Sequence, residues 1–172
     1  MSFQHAFKET IYKKFPKGDF YRASSKNFPA LQGLAIQSVD IAPGAVREPH
    51  SHPNANQLDF CVSGQACVGI VGPDGVTSYL ELNPGDISFV PLGHLHWIEN
   101  RGTERLNMLI VLSHEEPLTI EMSDMLSGVP NATLANLYDV PVAVFDAIPD
   151  RRGIVIGGGN KEMARPRLVA AE

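Results

Sequence analysis

The chain has no apolar run approaching the roughly 20 residues that span a bilayer as a helix. Its N-terminus, M-S-F-Q-H-A-F-K-E-T-I-Y-K-K-F-P, is polar throughout and has no apolar core of signal-peptide length. The cytoplasm is therefore the default expectation. Positive charge is also scarce: 14 Lys and Arg stand against 19 Asp and Glu, a formal net charge of −5, with no basic cluster. That balance argues against nucleic acid or an anionic membrane as partner. Cysteine is limited to Cys61 and Cys67, flanking a tight turn at Ser63-Gly64-Gln65. The two could face each other across a hairpin, but in a reducing compartment the expectation is two small buried thiols. No internal repeat is visible, and no helical period persists between positions 18 and 112.

What that central span does have is turn chemistry. Short apolar runs are broken by Ala42-Pro43-Gly44, Ser63-Gly64, Gly72-Pro73-Asp74-Gly75, Asn83-Pro84-Gly85-Asp86, Pro91-Leu92-Gly93 and Asn100-Arg101-Gly102. Each break supplies a fixed φ or a residue that tolerates positive φ. The spacing predicts strands over 19–23, 34–42, 57–63, 66–72, 76–82, 86–90, 95–99 and 105–112. Short strands of this kind close into a sandwich or small barrel, which leaves few exposed edges. After Pro117 the pattern changes. A short helix is expected over Met122–Leu126, stopped at Gly128. A second is expected over Ala132–Tyr138 capped by Asn131, and a third over Pro141–Ala147. Such helices are too short to stand alone and must pack on the barrel or on a neighbouring subunit. The organisation reads as an N-terminal arm (1–17), a β-barrel (18–113), a helical appendage (114–148) and a tail (149–172) whose Gly157-Gly158-Gly159 is expected to lie in an arm or a disordered segment.

Two stretches carry the chemistry. The first, Gly44 to Gly64, contains His50 and His52. The second, Gly85 to Asn100, contains His96. On extended backbone His50 and His52 point to one face. The turn-like Pro53-Asn54-Ala55-Asn56 can then reset the pleat so that Gln57, Asp59 and Cys61 share a face, with Leu58, Phe60 and Val62 on the other. Three imidazoles from two β segments can form a facial site for one divalent transition metal: Mn, Fe, Zn, Ni or Cu. The competing reading is scattered polar loop residues. A lone H-x-H pair is common, and it is the second motif at full spacing that favours the metal. His94 reads as a surface residue or as support for a ligand. His5 and His114 read as exposed, and Trp97 as packing.

With both motifs in view, the sequence resembles the cupin family, whose pattern is G-x5-H-x-H-x(3 or 4)-E-x6-G followed by G-x5-P-x-G-x2-H-x3-N. Gly44, His50, His52, position 57 and Gly64 match the first half; Gly85, Pro91, Gly93, His96 and Asn100 match the second. Pro43 through Asn54 is similar to the oxalate decarboxylase and germin-like branch, most of all to one half of the two-domain oxalate decarboxylases. The resemblance runs from about Tyr21 to Pro130 and includes Ser123-Asp124-Met125-Leu126. It implies an all-β, double-stranded β-helix (jelly-roll) barrel with a short helical C-terminal extension. It further implies that His50, His52 and His96 are metal ligands, and that Arg47 meets a substrate carboxylate. Enzymes of that branch use manganese and dioxygen to split oxalate, with a glutamate on a mobile lid as proton donor. Here the corresponding stretch, Leu112-Ser113-His114-Glu115-Glu116-Pro117, offers Glu115 and Glu116 but no recognisable lid motif.

The departure from the pattern is Gln57, where the family has Glu. A neutral carbonyl oxygen is a weaker ligand than a carboxylate, and it leaves the ion and its ligands at about +2 rather than +1. Mn²⁺ should lose affinity, imidazole-favouring ions less so. The added charge favours an anion in the open positions and opposes a cycle through Mn(III). Gln57 is thus a weak ligand or a support for one. Asp59, of like parity, is a further candidate, although it sits roughly 6.6 Å along the strand. Arg47 has two readings: a bidentate clamp on a substrate carboxylate, or an ion pair with Glu48 or with an acid across an interface. The expected function is a mononuclear metal-dependent enzyme acting on a small carboxylate or other oxygen-rich anion, by decarboxylation or dioxygen-dependent cleavage. The alternative is a non-catalytic cupin that binds a small ligand or metal. The apolar Phe60 and Val62, with the short helices, imply at least a homodimer.

Overall fold

A computed structural model of the chain describes residues 2–148 and 156–158. After a single 3₁₀ turn (Phe7–Glu9), the strands are β1 (Ile11–Phe15), β2 (Gly18–Ala23), β3 (Ala35–Ile41), β4 (Ala45–Ser51), β5 (Gln57–Ser63), β6 (Ala66–Val71), β7 (Thr77–Leu82), β8 (Ile87–Val90), β9 (Leu95–Asn100), β10 (Leu106–Leu112) and β11 (Ile120–Glu121). Then come α1 (Met122–Gly128), α2 (Asn131–Tyr138), α3 (Ala143–Asp146) and β12 (Ile156–Gly158). One sheet has the order β1-β2-β3-β10-β5-β8; the other runs β11-β4-β9-β6-β7, with β12 also pairing β4. All pairings are antiparallel. The fold is the jelly-roll barrel that the motifs implied.

The period-2 pattern explains the core. On β10, Leu106, Met108, Ile110 and Leu112 alternate inward and are buried, against Val39, Ile41, Val68, Val90 and Ile98 from other strands. On β5 the usual polarity is inverted. Gln57, Asp59 and Cys61 are buried inside, while Leu58, Phe60 and Val62 are 39%, 37% and 47% exposed outside. Opposite Leu58 and Phe60 stand Phe89 and Ile87 of β8, also exposed. This strand therefore turns polar groups toward the interior and apolar groups toward solvent.

All eight predicted strands match closely, but β1, β4 and the short β11 and β12 were not foreseen. β4 escaped because its inward residues are polar: Arg47, His50 and the following His52 are 2%, 4% and 2% exposed. Its pairing with β9 shifts register between Arg47 and His50. That bulge is how two residues three apart both reach the interior.

Several other expectations are corrected. β5 and β6 lie in different sheets, so Cys61 and Cys67 do not face each other across a hairpin: Cys61 lies opposite Met108 and Cys67 opposite Glu81 and Glu99. Both are buried free thiols, and burial pushes the Cys67 thiol up to about 12. The turn between the two strands needs Gly64, at φ 84°, where a Cβ would meet the Arg105 carbonyl oxygen at 2.8 Å. Asn131 is the first residue of α2, whose N-cap position is Pro130; its amide instead donates to Asp146 at 2.8 Å, tying α2 to α3. α3 is shorter than predicted. The tail is not a free arm at 156–158: β12 pairs with β4, placing Ile156 opposite Arg47 and burying it in the core. Gly159 and the rest of the tail lie outside the described residues. Trp97 packs as expected, covering Gly69 so closely that a Cβ there would sit 2.2 Å from its ring.

Candidate metal centre

β4 and β9 position the three histidines. His50 and His96 are direct partners in that ladder, with ring centroids 4.1 Å apart. His52, just past the end of β4, completes the triangle at 5.1 Å from His50 and 5.5 Å from His96. All three are buried, and one nitrogen from each lies within 4.8 Å of the others. Among the described residues, no carboxylate or thiol joins this cluster.

The backbone sets the tautomers. His50 Nδ1 lies 2.8 Å from the Glu48 carbonyl, His52 Nδ1 2.8 Å from that of Leu118, and His96 Nδ1 3.0 Å from that of His94. A carbonyl only accepts, so each Nδ1 carries the proton and each Nε2 presents a lone pair. Ligating imidazoles are held in this way in metal proteins. His94 thus serves through its backbone. Burial first, then the Arg47 charge and the neighbouring rings, holds His50 well below its ordinary value. Burial likewise lowers His52 and brings His96 down to about 3. Neutral imidazoles are the form a metal needs.

Two observations test whether a metal fits. His52 Nε2 is buried with no hydrogen-bond partner, a costly state for a polar atom unless something fills it. Gln57 Oε1 lies 3.1 Å from His96 Nε2. Gln57 Nε2 donates to Asp59 Oδ1 at 2.8 Å, so the amide orientation is fixed and the oxygen must face the histidine. Two acceptors in contact are unfavourable by themselves. They suit neighbouring ligands of one ion, since atoms each about 2.1 Å from a metal stand about 3 Å apart at a right angle. The residues fit a metal ion.

Asp59 does not reach the histidines. It sits behind Gln57, accepting from its amide and from Ser88 Oγ at 2.8 Å. Burial raises its carboxyl to about 6, against the opposing effect of those two bonds. Glu115 and Glu116 turn elsewhere: Glu115 accepts from the Gly33 amide, Glu116 from Ser25 and the Lys26 amide. Arg47 is paired within the chain. Its Nη1 and Nη2 donate to Glu121 Oε2 and Oε1 at 2.6 and 2.7 Å, while Glu48 lies 3.8 Å away. Sequence reasoning missed Glu121 and Ser88. The available signal for Glu121 was a lone acid in Leu118-Thr119-Ile120-Glu121-Met122, where the other residues are apolar or uncharged.

Fold and site together define a jelly-roll barrel with a buried three-histidine centre able to hold one metal ion. The chain belongs to the cupin family: the Cupin family model matches residues 9–143. It is 31% identical to oxalate decarboxylase OxdC of Bacillus subtilis (strain 168) over 139 residues, 81% of this chain and 36% of that protein. It is 30% identical to germin-like protein 3-7 of Oryza sativa subsp. japonica over 130 residues, 72% of this chain and 56% of that one. Among solved structures, a variant of the Bacillus subtilis oxalate decarboxylase matches with a TM-score of 0.83 at 25% identity, covering 90% of this chain and 41% of that one. The chain thus spans between about a third and somewhat over half of these relatives.

Proposed function

We propose that this chain is a mononuclear metal-dependent enzyme acting on a small carboxylate or related oxygen-rich anion, by decarboxylation or dioxygen-dependent cleavage. The observation that carries this reading is the set of three buried histidines with their Nδ1 protons committed to backbone carbonyls. Relatives named as oxalate decarboxylases support the substrate class, and Mn(II) centres are named for the Bacillus enzyme.

His50, His52 and His96 would hold the ion, with Gln57 Oε1 as a weaker fourth donor. When bound, the metal would supply a Lewis acid and a template for the anion in its open positions. The protein's part is positional. Ser88 orients Asp59, Asp59 orients the Gln57 amide, and the surrounding apolar core keeps bulk water out. With four neutral donors, the ion keeps a charge of about +2, which attracts an anion.

A second reading, a cupin that binds a small ligand or a metal without turnover, is favoured by one observation: Glu115 and Glu116, the acids expected near a lid, are engaged with the 24–33 loop. Metal analysis of protein purified without added metal, followed by oxygen uptake and carbon dioxide release with hydroxy, keto and dicarboxylic acids, separates the two. Bound metal with turnover supports the enzyme; bound metal with anion binding and no turnover supports the second reading. A His96→Ala variant that keeps its metal would refute the ligand set. For the assembly we infer a homo-oligomer formed sheet to sheet, supported by the apolar outer face of β5 and β8.

A further inference from the structure

The Arg47–Glu121 pair is a complete fork-to-fork contact. Both terminal nitrogens of the guanidinium donate, one to each carboxylate oxygen, at 2.6 and 2.7 Å, and both side chains are 3% exposed. This is the geometry with which arginine grips a free carboxylate. Glu48, the other nearby acid, is committed to the start of α1: its oxygens accept from the Ser123 amide at 2.9 Å and the Ser123 hydroxyl at 3.1 Å.

The pair lies beside the histidines. Arg47 and His50 both point inward from β4 on either side of its bulge. Glu121 stands directly opposite His50 in the β4–β11 ladder, so its side chain rises on the same inner face. The Arg47 charge is felt at all three rings. A buried guanidinium next to a metal centre is the natural partner for the far end of a bound dianion. Here a carboxylate of the chain itself fills that place.

We propose that Glu121 is a specificity-determining residue: a built-in carboxylate that occupies the Arg47 fork, so that the centre selects small monocarboxylates over dicarboxylates. A dicarboxylate would have to displace Glu121 from a buried bidentate contact, or else bring its second charge against Glu121 in a medium that screens poorly. A monocarboxylate meets neither obstacle, because its single charge faces the ion. This inference rests on the reading that the centre takes a small anion.

Lactate and tartronate test it, because both carry a 2-hydroxy carboxylate and differ only in a methyl against a second carboxylate. Titrated into the cobalt(II)-loaded protein and followed by its visible spectrum, lactate should bind at least tenfold more tightly than tartronate. In Glu121→Gln, which removes the carboxylate charge facing the Arg47 fork while keeping the side chain's shape, that preference should shrink by at least tenfold or reverse. Equal or tighter tartronate binding in the unaltered protein, or an unchanged ratio in Glu121→Gln, would overturn the inference while leaving the proposed function standing. A spectrum that responds to neither anion in either protein would overturn both.

A second arm needs no metal. Glu121→Ala opens a carboxylate-sized gap facing Arg47, so acetate should raise its melting temperature by several degrees and leave that of the unaltered protein unmoved. No acetate effect in the folded variant, or the same effect in both, would overturn the inference. If Glu121→Ala does not fold, the Glu121→Gln titration decides alone.

Discussion

Gln57 Oε1 lies 3.1 Å from His96 Nε2, an acceptor facing an acceptor, because Asp59 holds the amide in the only orientation that satisfies its NH₂ group. The site is therefore polarised toward a cation before one arrives. Replacing Gln57 with Glu would place two carboxylates in the contact now made at 2.8 Å. Metal-free Gln57→Glu should accordingly melt lower than the parent. Its Mn²⁺ affinity should rise by roughly ten- to a hundredfold, the range seen when groups around a metal are altered. Melting curves with and without Mn²⁺, and a competition titration against Zn²⁺, check both halves.

The Arg47–Glu121 pair makes a stability prediction separate from its proposed part in selectivity. Both groups are buried, so Glu121→Ala strands a charge and should cost about 3–5 kcal/mol. The double variant Arg47→Met, Glu121→Leu removes both charges and should recover most of that loss. Urea unfolding of the two variants measures it; a double variant no more stable than Glu121→Ala would mean that packing, not charge, explains the cost.

Asp59 predicts a pH dependence. Its ordinary value of 3.8 is raised to about 6, chiefly by burial and against the bonds from Ser88 and Gln57. The fold thus favours the protonated form. The stability contribution of Asp59 is fully present below 3.8 and is lost as pH rises through about 6, on the order of 3 kcal/mol in all. Carboxylates that accept salt bridges slope the other way, so the comparison must be differential. In the metal-free protein, Asp59→Asn should gain stability relative to the parent between pH 4 and pH 7. A constant difference across that range would contradict the assignment.

The outer face of β5 and β8 predicts an assembly. Leu58, Phe60, Ile87 and Phe89 form adjacent cross-strand pairs, and Ile87 and Phe89 are 62% and 57% exposed. Contiguous apolar surface of this kind marks contact sites. Phe89→Asp should shift the protein toward monomer in light scattering without changing its metal content, since the histidines lie on the opposite side of the sheets. A parent protein that is already monomeric would refute the homo-oligomer.

Much was legible in the chain itself. Alternation and turn residues located most strands, because a half-buried strand must place apolar residues with period 2 and each reversal needs Gly, Pro, Asn or Asp. Alternation put His50 and His52 on one face, and the second motif at its full spacing supplied His96, which the pairing of β9 with β4 brings beside them. β4 was illegible because its inward residues are polar, and a polar interior facing a buried site looks like an exposed loop when read by hydropathy. β12 was hidden because three residues with two glycines carry no periodicity; only the edge left open by β4 makes them a strand.

What the sequence determined by itself was the barrel, the three imidazoles and the absence of a carboxylate at position 57, since each follows from local pattern and residue chemistry. The tertiary structure decided the rest: that Asp59 aims Gln57, that backbone carbonyls lock all three histidines, and that Glu121, 74 residues from Arg47, takes the guanidinium that otherwise would face a ligand. The Arg47–Glu121 and His52–Leu118 contacts join segments 74 and 66 residues apart through the pairing of β11 with β4. Gln57 meets His96 only because one sheet closes on the other. The remaining contacts are local in sequence, but the same folding buries them and aims them at one point.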